Sequence, residues 1–432
     1  MLHDLLERLR QAGRLEAWRT LEHRVESREL FLVGPHVDMR RAKQVTRLEA
    51  TVYRDFTREG RAFRGSATVR LHPTQGRAEL ERALRGGAEA AAWVRNAAYP
   101  LVRPGGQAPQ LPVVESVPDL GRALDSLGSA LLEQGGEGAR LNSAELFLER
   151  GETQMRNSEG VEVRYDFFQG SGELVVEAEA PAGPVELFQP LAFARVRPDE
   201  LRAELDRQLE LCRRRAQAVP TPALSTSPLL LTGVAVRELL SYFTYHASAE
   251  AAYGRLSRFR PGGSVQGEPV EGDPLTLGLE PYLEHSPSSA PWDEDGWPLQ
   301  PVPLIQEGRL LSWWGPLRWC HYLGSPPTGR LPNVRVRPGG RPLEELRRGG
   351  CLEAAVFSDF QCDALTGDFA GELRLGTWHD PQGGQRAVTG GSVSGRLPEL
   401  AGGLLLSAEL QHLDGFEGPE GIRLASAAVT GG

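Results

Sequence analysis

The sequence predicts an α+β protein of two domains: N-terminal helices packed on a β-sheet over residues 1–222, and a C-terminal domain over 223–432 that is mostly antiparallel β with one long helix. Three observations predict it. The 432 residues, 40% hydrophobic and 24% charged, are too many for one small domain and carry enough apolar material for two cores. Segments of two-residue and 3.6-residue periodicity alternate in the first half, whereas short strands and glycine turns dominate the second. Proline and small polar residues at 220–228 break both periods and mark the boundary.

Residues 2–26 set Leu2, Leu5, Leu6, Leu9, Leu15, Trp18, Leu21 and Val25 at mostly three- and four-residue steps, which predicts an amphipathic helical segment with a break near Gly13. Alternation then predicts strands at 26–34, 44–56 and 60–72, followed by an Ala- and Leu-rich helix at 77–98. A Pro/Gly/Gln loop at 101–118 leads to a helix at 119–134. Two strands over 141–180 flank a turn at Asn157-Ser158-Glu159-Gly160. The helix at 198–218 aligns Leu201, Leu205, Leu209 and Cys212 on one apolar edge, which makes Cys212 a core thiol. Past the boundary, 234–256 reads as one helix, and after Arg260 only the LEELRRGG segment is read as helical.

Asp and Glu outnumber Lys and Arg by 57 to 48, so no global positive field favours a nucleic-acid partner. Lys43 is the single lysine, which disfavours a Schiff-base mechanism and reads as genome composition. Cys212, Cys320, Cys351 and Cys362 form no CxxC pair, so neither a disulfide framework nor a zinc knuckle is spelled out. The charged start has no apolar signal core, and no apolar run reaches the roughly 18 residues of a spanning helix. A cytoplasmic chain with no membrane partner is expected.

No phosphate loop and no nucleophile elbow is present. His246 and Glu250 are four apart on the 234–256 helix, a spacing that serves either an exposed pair or part of a ligand set. His285, His321, His379 and His412 stand alone in sequence. Cys320 and His321, as neighbours on an expected strand, point to opposite faces. Asp293, Glu294 and Asp295 before Gly296 make an acidic turn, read as carboxylates capping backbone N–H groups in preference to a cation site. Residues alone assemble no catalytic or metal constellation.

The order of phrases in the second half is more specific. An acidic turn at Asp293, Asp295 and Gly296 is followed by Leu304-Ile305-Gln306-Glu307-Gly308, an aromatic-rich segment from Trp313 to Tyr322, Thr328-Gly329, Asn333, the Leu343–Leu346 segment and Thr366-Gly367-Asp368-Phe369. With the Asn157-Ser158-Glu159-Gly160 turn, this series resembles the TldD/PmbA family of peptidase-related proteins.

The resemblance implies where a metal site stands in active members: an HExxxH motif on the helix that opens the second domain and a late cysteine, holding zinc with Glu as general base. The matching stretch here reads Arg237-Glu238-Leu239-Leu240-Ser241-Tyr242, with Arg237 and Tyr242 in the two His places, and the carboxyl-terminal segment has no Cys. The tail reads Leu413-Asp414-Gly415 where the family has a GND segment. The expectation is therefore a PmbA-like (TldE-like) subunit with no catalytic residues, metal ligands or cofactor of its own. Its expected partner is a TldD-like subunit that holds the zinc and cuts peptides; the motif turns would then lie at a peptide or partner surface. The alternatives are a stand-alone, self-associating peptide-binding protein, and an independent metallopeptidase using His246, Glu250 and His285 or His321.

Overall fold

A computed structural model describes residues 1–132 and 138–432. Helix α1 (Leu2–Gln11) buries Leu5, Leu6 and Leu9 and stops where Gly13 takes the left-handed conformation, φ +65°. The expected helical segment does not resume. Trp18, Leu21 and Val25 lie instead on strand β1 (Ala17–Val33), which pairs along its length with β2 (His36–Arg58) on one side and β4 (Ala139–Asn157) on the other. Two flanking ladders satisfy the backbone that a helix would have satisfied internally, so tertiary pairing overrides the local spacing.

With β3 (Arg61–Leu71), β5 (Glu162–Ala178) and β6 (Val185–Phe193), these strands form an antiparallel sheet in the order β3-β2-β1-β4-β5-β6. The sequence reading missed β6. Helices α1 and α2 (Arg77–Ala91) cover one stretch of the sheet around Trp18, Ala50 and Val52. Helices α3 (Leu120–Leu132) and α4 (Pro198–Ala216) cover another around Leu30, Leu146 and Val176. Glu133 and Gln134, the expected end of the third helix, lie outside the described residues. Cys212 sits in this core, its thiol facing the Val176 and Val185 carbonyls.

The segment read as a boundary loop contains β7 (Val219–Pro220) and β8 (Leu224–Thr232). Leu229, Leu230 and Leu231 are fully buried, and the ladder to the last strand is irregular around Ser227, a place where Pro228 is tolerated. Strand β8 lies between the strands Cys351–Cys362 and Gly421–Thr430. Further pairings through Ser392–Arg396 and Asp368–His379 return to Cys351–Cys362, so the ladder closes on itself. A second sheet runs in the order Arg309–Leu310, Val302–Gln306, Leu277–Glu280, Asn333–Val336, Phe416–Pro419, Leu410–Leu413. Most pairs are antiparallel, as expected.

The expected single long helix is two: α5 (Val234–His246) and α6 (Ala249–Tyr253). Ser248 caps α6 by accepting from the Ala251 N–H, and the Ala249 N–H goes to the Trp314 carbonyl, so the chain leaves the helix to satisfy other partners. His246 and Glu250 therefore share no helix. Leu317–Leu323 is also helical, which the sequence reading placed on a strand; Cys320 is buried there and donates to the Gly315 carbonyl, while His321 is exposed. Among the described residues, no helix is long and apolar enough to cross a membrane.

Candidate functional site

Helix α5 packs against strand β8 and its neighbour Cys351–Cys362, with Ala235, Val236, Leu239, Leu240 and Phe243 in the main core. That leaves Arg237 and Glu238 half-exposed, 36% and 37%, at the edge of the packed face. The Arg237 guanidinium donates to Glu238 Oε1 from Nε at 3.2 Å and from Nη2 at 2.9 Å, and from Nη1 to the Asp414 carbonyl at 3.1 Å. Asp414 is fixed in turn, its carboxylate accepting from the Ser286 and Ser288 hydroxyls. A single cation thus ties the start of α5 to the Leu413-Asp414-Gly415 turn. At this exposure the ion pair is worth about 0.2–1 kcal/mol, so its consequence is chemical: Glu238 faces a permanent positive charge that cannot accept a proton or ligate a metal.

Tyr242 is 2% exposed, and burial raises its phenol pKa, which keeps it neutral. Its ring stands edge-on to His246 at 4.4 Å and beneath the turn carrying Thr366, Gly367 and Asp368; a Cβ at Gly367 would stand 3.1 Å from the Tyr242 ring. The turn itself is built by Asp363, whose carboxylate accepts from the Leu365 and Thr366 N–H groups. His246 Nδ1 accepts from the Arg258 N–H at 3.2 Å, so Nε2 carries the proton and donates to the Leu365 carbonyl at 3.0 Å. With both ring nitrogens committed and the residue buried, His246 is a packing histidine.

The residues at 237 and 242 do not fit zinc: one is an engaged guanidinium, the other a buried neutral phenol. Nor does a thiol substitute. Burial pushes Cys212 and Cys351 up to about 11 and Cys362 to about 12, and raises Cys320, so all four remain protonated.

The Asn157 turn and the acidic turn meet at the seam between the two halves. Asn157, 6% exposed, accepts the Glu159 and Val161 N–H groups on Oδ1 and donates from Nδ2 to the Val102 carbonyl. Val161 and Met155 pack with Trp297, directly against the acidic turn; Gly296, φ +81°, lies where a Cβ would be 1.8 Å from Met155 Cε. Asp293 Oδ1 accepts from the Asp295 and Trp297 N–H groups and Oδ2 from that of Arg330, the capping role expected from sequence. Burial, with Asp295 alongside, pushes the Asp293 carboxyl up to about 6. Arg19 on β1 reaches across to the Asp295 carboxylate and the Glu294 carbonyl. Asn333 is fully buried, donating to the Glu280 carbonyl while its Oδ1 has no partner among the described residues. Asn157, Asp293 and Asn333 therefore shape buried turns and strand ends, whereas Asp295, Thr366 and Asp368 keep accessible side chains.

Sequence reasoning missed the contact between Arg237 and Asp414, which are 177 residues apart. It also missed a group formed by His285, His412 and Glu417. Neither has a local signal.

The chain is metallopeptidase-related, and Arg237 and Tyr242 on α5 offer no zinc ligand. Residues 225–431 match the family described as the PmbA/TldA metallopeptidase C-terminal domain, so this part of the chain belongs to the TldD/PmbA family. Its structure is similar to that of TldE from Thermococcus kodakarensis, with a TM-score of 0.78 at 16% identity over 99% of this chain and 100% of the other. It is equally similar, TM-score 0.78 and 16% identity, to a protein from Thermotoga maritima described as a proposed modulator of a DNA gyrase, over the whole of both chains. A Bacteroides thetaiotaomicron protein of the same description gives 0.75 at 17%, again over both full chains. At these identities the likeness shows the fold. No curated protein matches the chain.

Proposed function

We propose that the chain is a TldE/PmbA-like, non-catalytic subunit of a TldD/TldE-type zinc metallopeptidase complex that cleaves peptides in the cytoplasm. The observation that carries this reading is the Arg237 bridge. In a zinc peptidase, a metal polarises water beside a carboxylate that takes its proton. Here Glu238 is retained, but its neighbour is a guanidinium tied to Asp414. The fixed cation holds the helix and the turn together as a scaffold while removing ligand chemistry from them. Zinc and the general base then belong to a TldD-like partner with an intact HExxxH motif.

The test is peptide hydrolysis by the zinc-supplemented chain alone, by a TldD-like subunit alone, and by their mixture, with complex formation followed by size-exclusion chromatography. Hydrolysis by the mixture together with co-elution supports the reading. Turnover by the chain alone overturns it, and so does failure of the two chains to associate.

A further inference from the structure

We propose that His285, His412 and Glu417 form a binding site for one divalent transition-metal ion such as Zn²⁺ or Co²⁺, separate from positions 237 and 242. The site is built on the hairpin of Leu410–Leu413 and Phe416–Pro419, where His412 and Glu417 are directly paired across the strands. His412 Nδ1 lies 3.5 Å from Glu417 Oε2. His285 enters from the segment after Leu277–Glu280, its ring centroid 4.7 Å from that of His412. One ligand atom from each of the three residues lies within 4.8 Å of the other two.

The surrounding bonds orient these groups as a ligand set. His285 Nε2 lies 3.1 Å from both the Leu413 and the Phe416 carbonyls, so it must carry the proton and Nδ1 is left with a lone pair. A backbone carbonyl holding one ring nitrogen is the usual outer partner of a histidine that binds metal through the other. Glu417 is held in a parallel way: Oε1 accepts from Arg335 Nε at 2.7 Å, which leaves Oε2 toward His412. Arg335 also pairs with Glu280, so its charge is shared between two carboxylates and does not cancel Glu417.

Two imidazoles and one carboxylate are a donor set for borderline divalent ions. Tetrahedral ligands at bonds of about 2.0–2.1 Å lie roughly 3.4 Å apart, so groups within 4.8 Å of one another must close by at most about 1.4 Å. His412, 52% exposed, has the freedom to do this by side-chain rotation alone. Three protein ligands leave the fourth position to water.

The tag-free, full-length chain is titrated with Co²⁺, read by visible absorption, and with Zn²⁺, read by calorimetry. One saturable ion per chain is expected, with the strong visible bands of low-coordinate Co²⁺. His412→Ala, at an exposed position, keeps the fold and weakens binding at least about tenfold; Glu417→Gln weakens it while preserving shape. His72→Ala, exposed in the N-terminal half, leaves affinity unchanged. Absence of one-to-one binding, or wild-type affinity in both His412→Ala and His285→Ala, overturns the proposal. Arg237 and Glu238 are untouched in every variant, so either result is independent of whether the lone chain hydrolyses peptides.

Discussion

Replacing Asn157 by Ala tests whether its side chain holds the turn that packs against Trp297. Its side chain makes three hydrogen bonds, at 2.8 Å to the Val102 carbonyl and at 3.0 Å from each of the Glu159 and Val161 N–H groups. Val102 and Val161 are themselves buried, so water does not replace the lost partners. A net contribution of about 1 kcal/mol per bond, with the added penalty of stranding buried backbone groups, gives a loss of about 3 kcal/mol. Urea unfolding followed by circular dichroism should show a lower midpoint at unchanged slope. Asn157→Asp should be no better, because it sets a carboxylate oxygen against the Val102 carbonyl. A loss under about 0.5 kcal/mol for Asn157→Ala would refute the role assigned to the turn.

Other consequences are equally direct. Burial alone would raise the Glu353 carboxyl, but hydrogen bonds from His379 and Arg347 outweigh it and hold it at about 2 against an ordinary 4.5. Because the folded pKa is depressed, its contribution of about 3 kcal/mol is full above pH 4.5 and lost as pH falls toward 2; Glu353→Gln should flatten stability across that window. Gly296→Ala forces a side chain into the left-handed conformation and onto Met155, and should cost about 1–3 kcal/mol in unfolding experiments. The three buried thiols Cys212, Cys320 and Cys351 should react slowly with a thiol reagent in the native chain at pH 8 and promptly after unfolding; fast native reaction at any of them would contradict their burial.

Legibility in the sequence followed the range of the interactions. Alternation located strands β2 to β5, and the edge of Leu201, Leu205, Leu209 and Cys212 located a core helix, because each depends on neighbours within a few residues. Trp18, Leu21 and Val25 kept a helical spacing yet pair in a sheet, since partners at Tyr53–Gln44 and Asn157–Gly151 decide their conformation. Ser248 ends α5 for a similar reason, the next N–H being claimed by Trp314. The motif turns were visible as turns, but not as a seam: Gly296 meets Met155 only after folding. At the site, Arg237 and Tyr242 were found from the resemblance, whereas their engagement by Asp414 and by the turn at Gly367 arises from long-range contact.

The central claim is that this chain contributes structure and not catalysis, and single-turnover peptide hydrolysis with saturating zinc measures it most directly. The account predicts no cleavage above the uncatalysed background by the chain alone, and cleavage once a TldD-like subunit is added. Cleavage by the chain alone that disappears in Glu238→Gln would contradict it, because it would make Glu238 a working base despite its bond to Arg237.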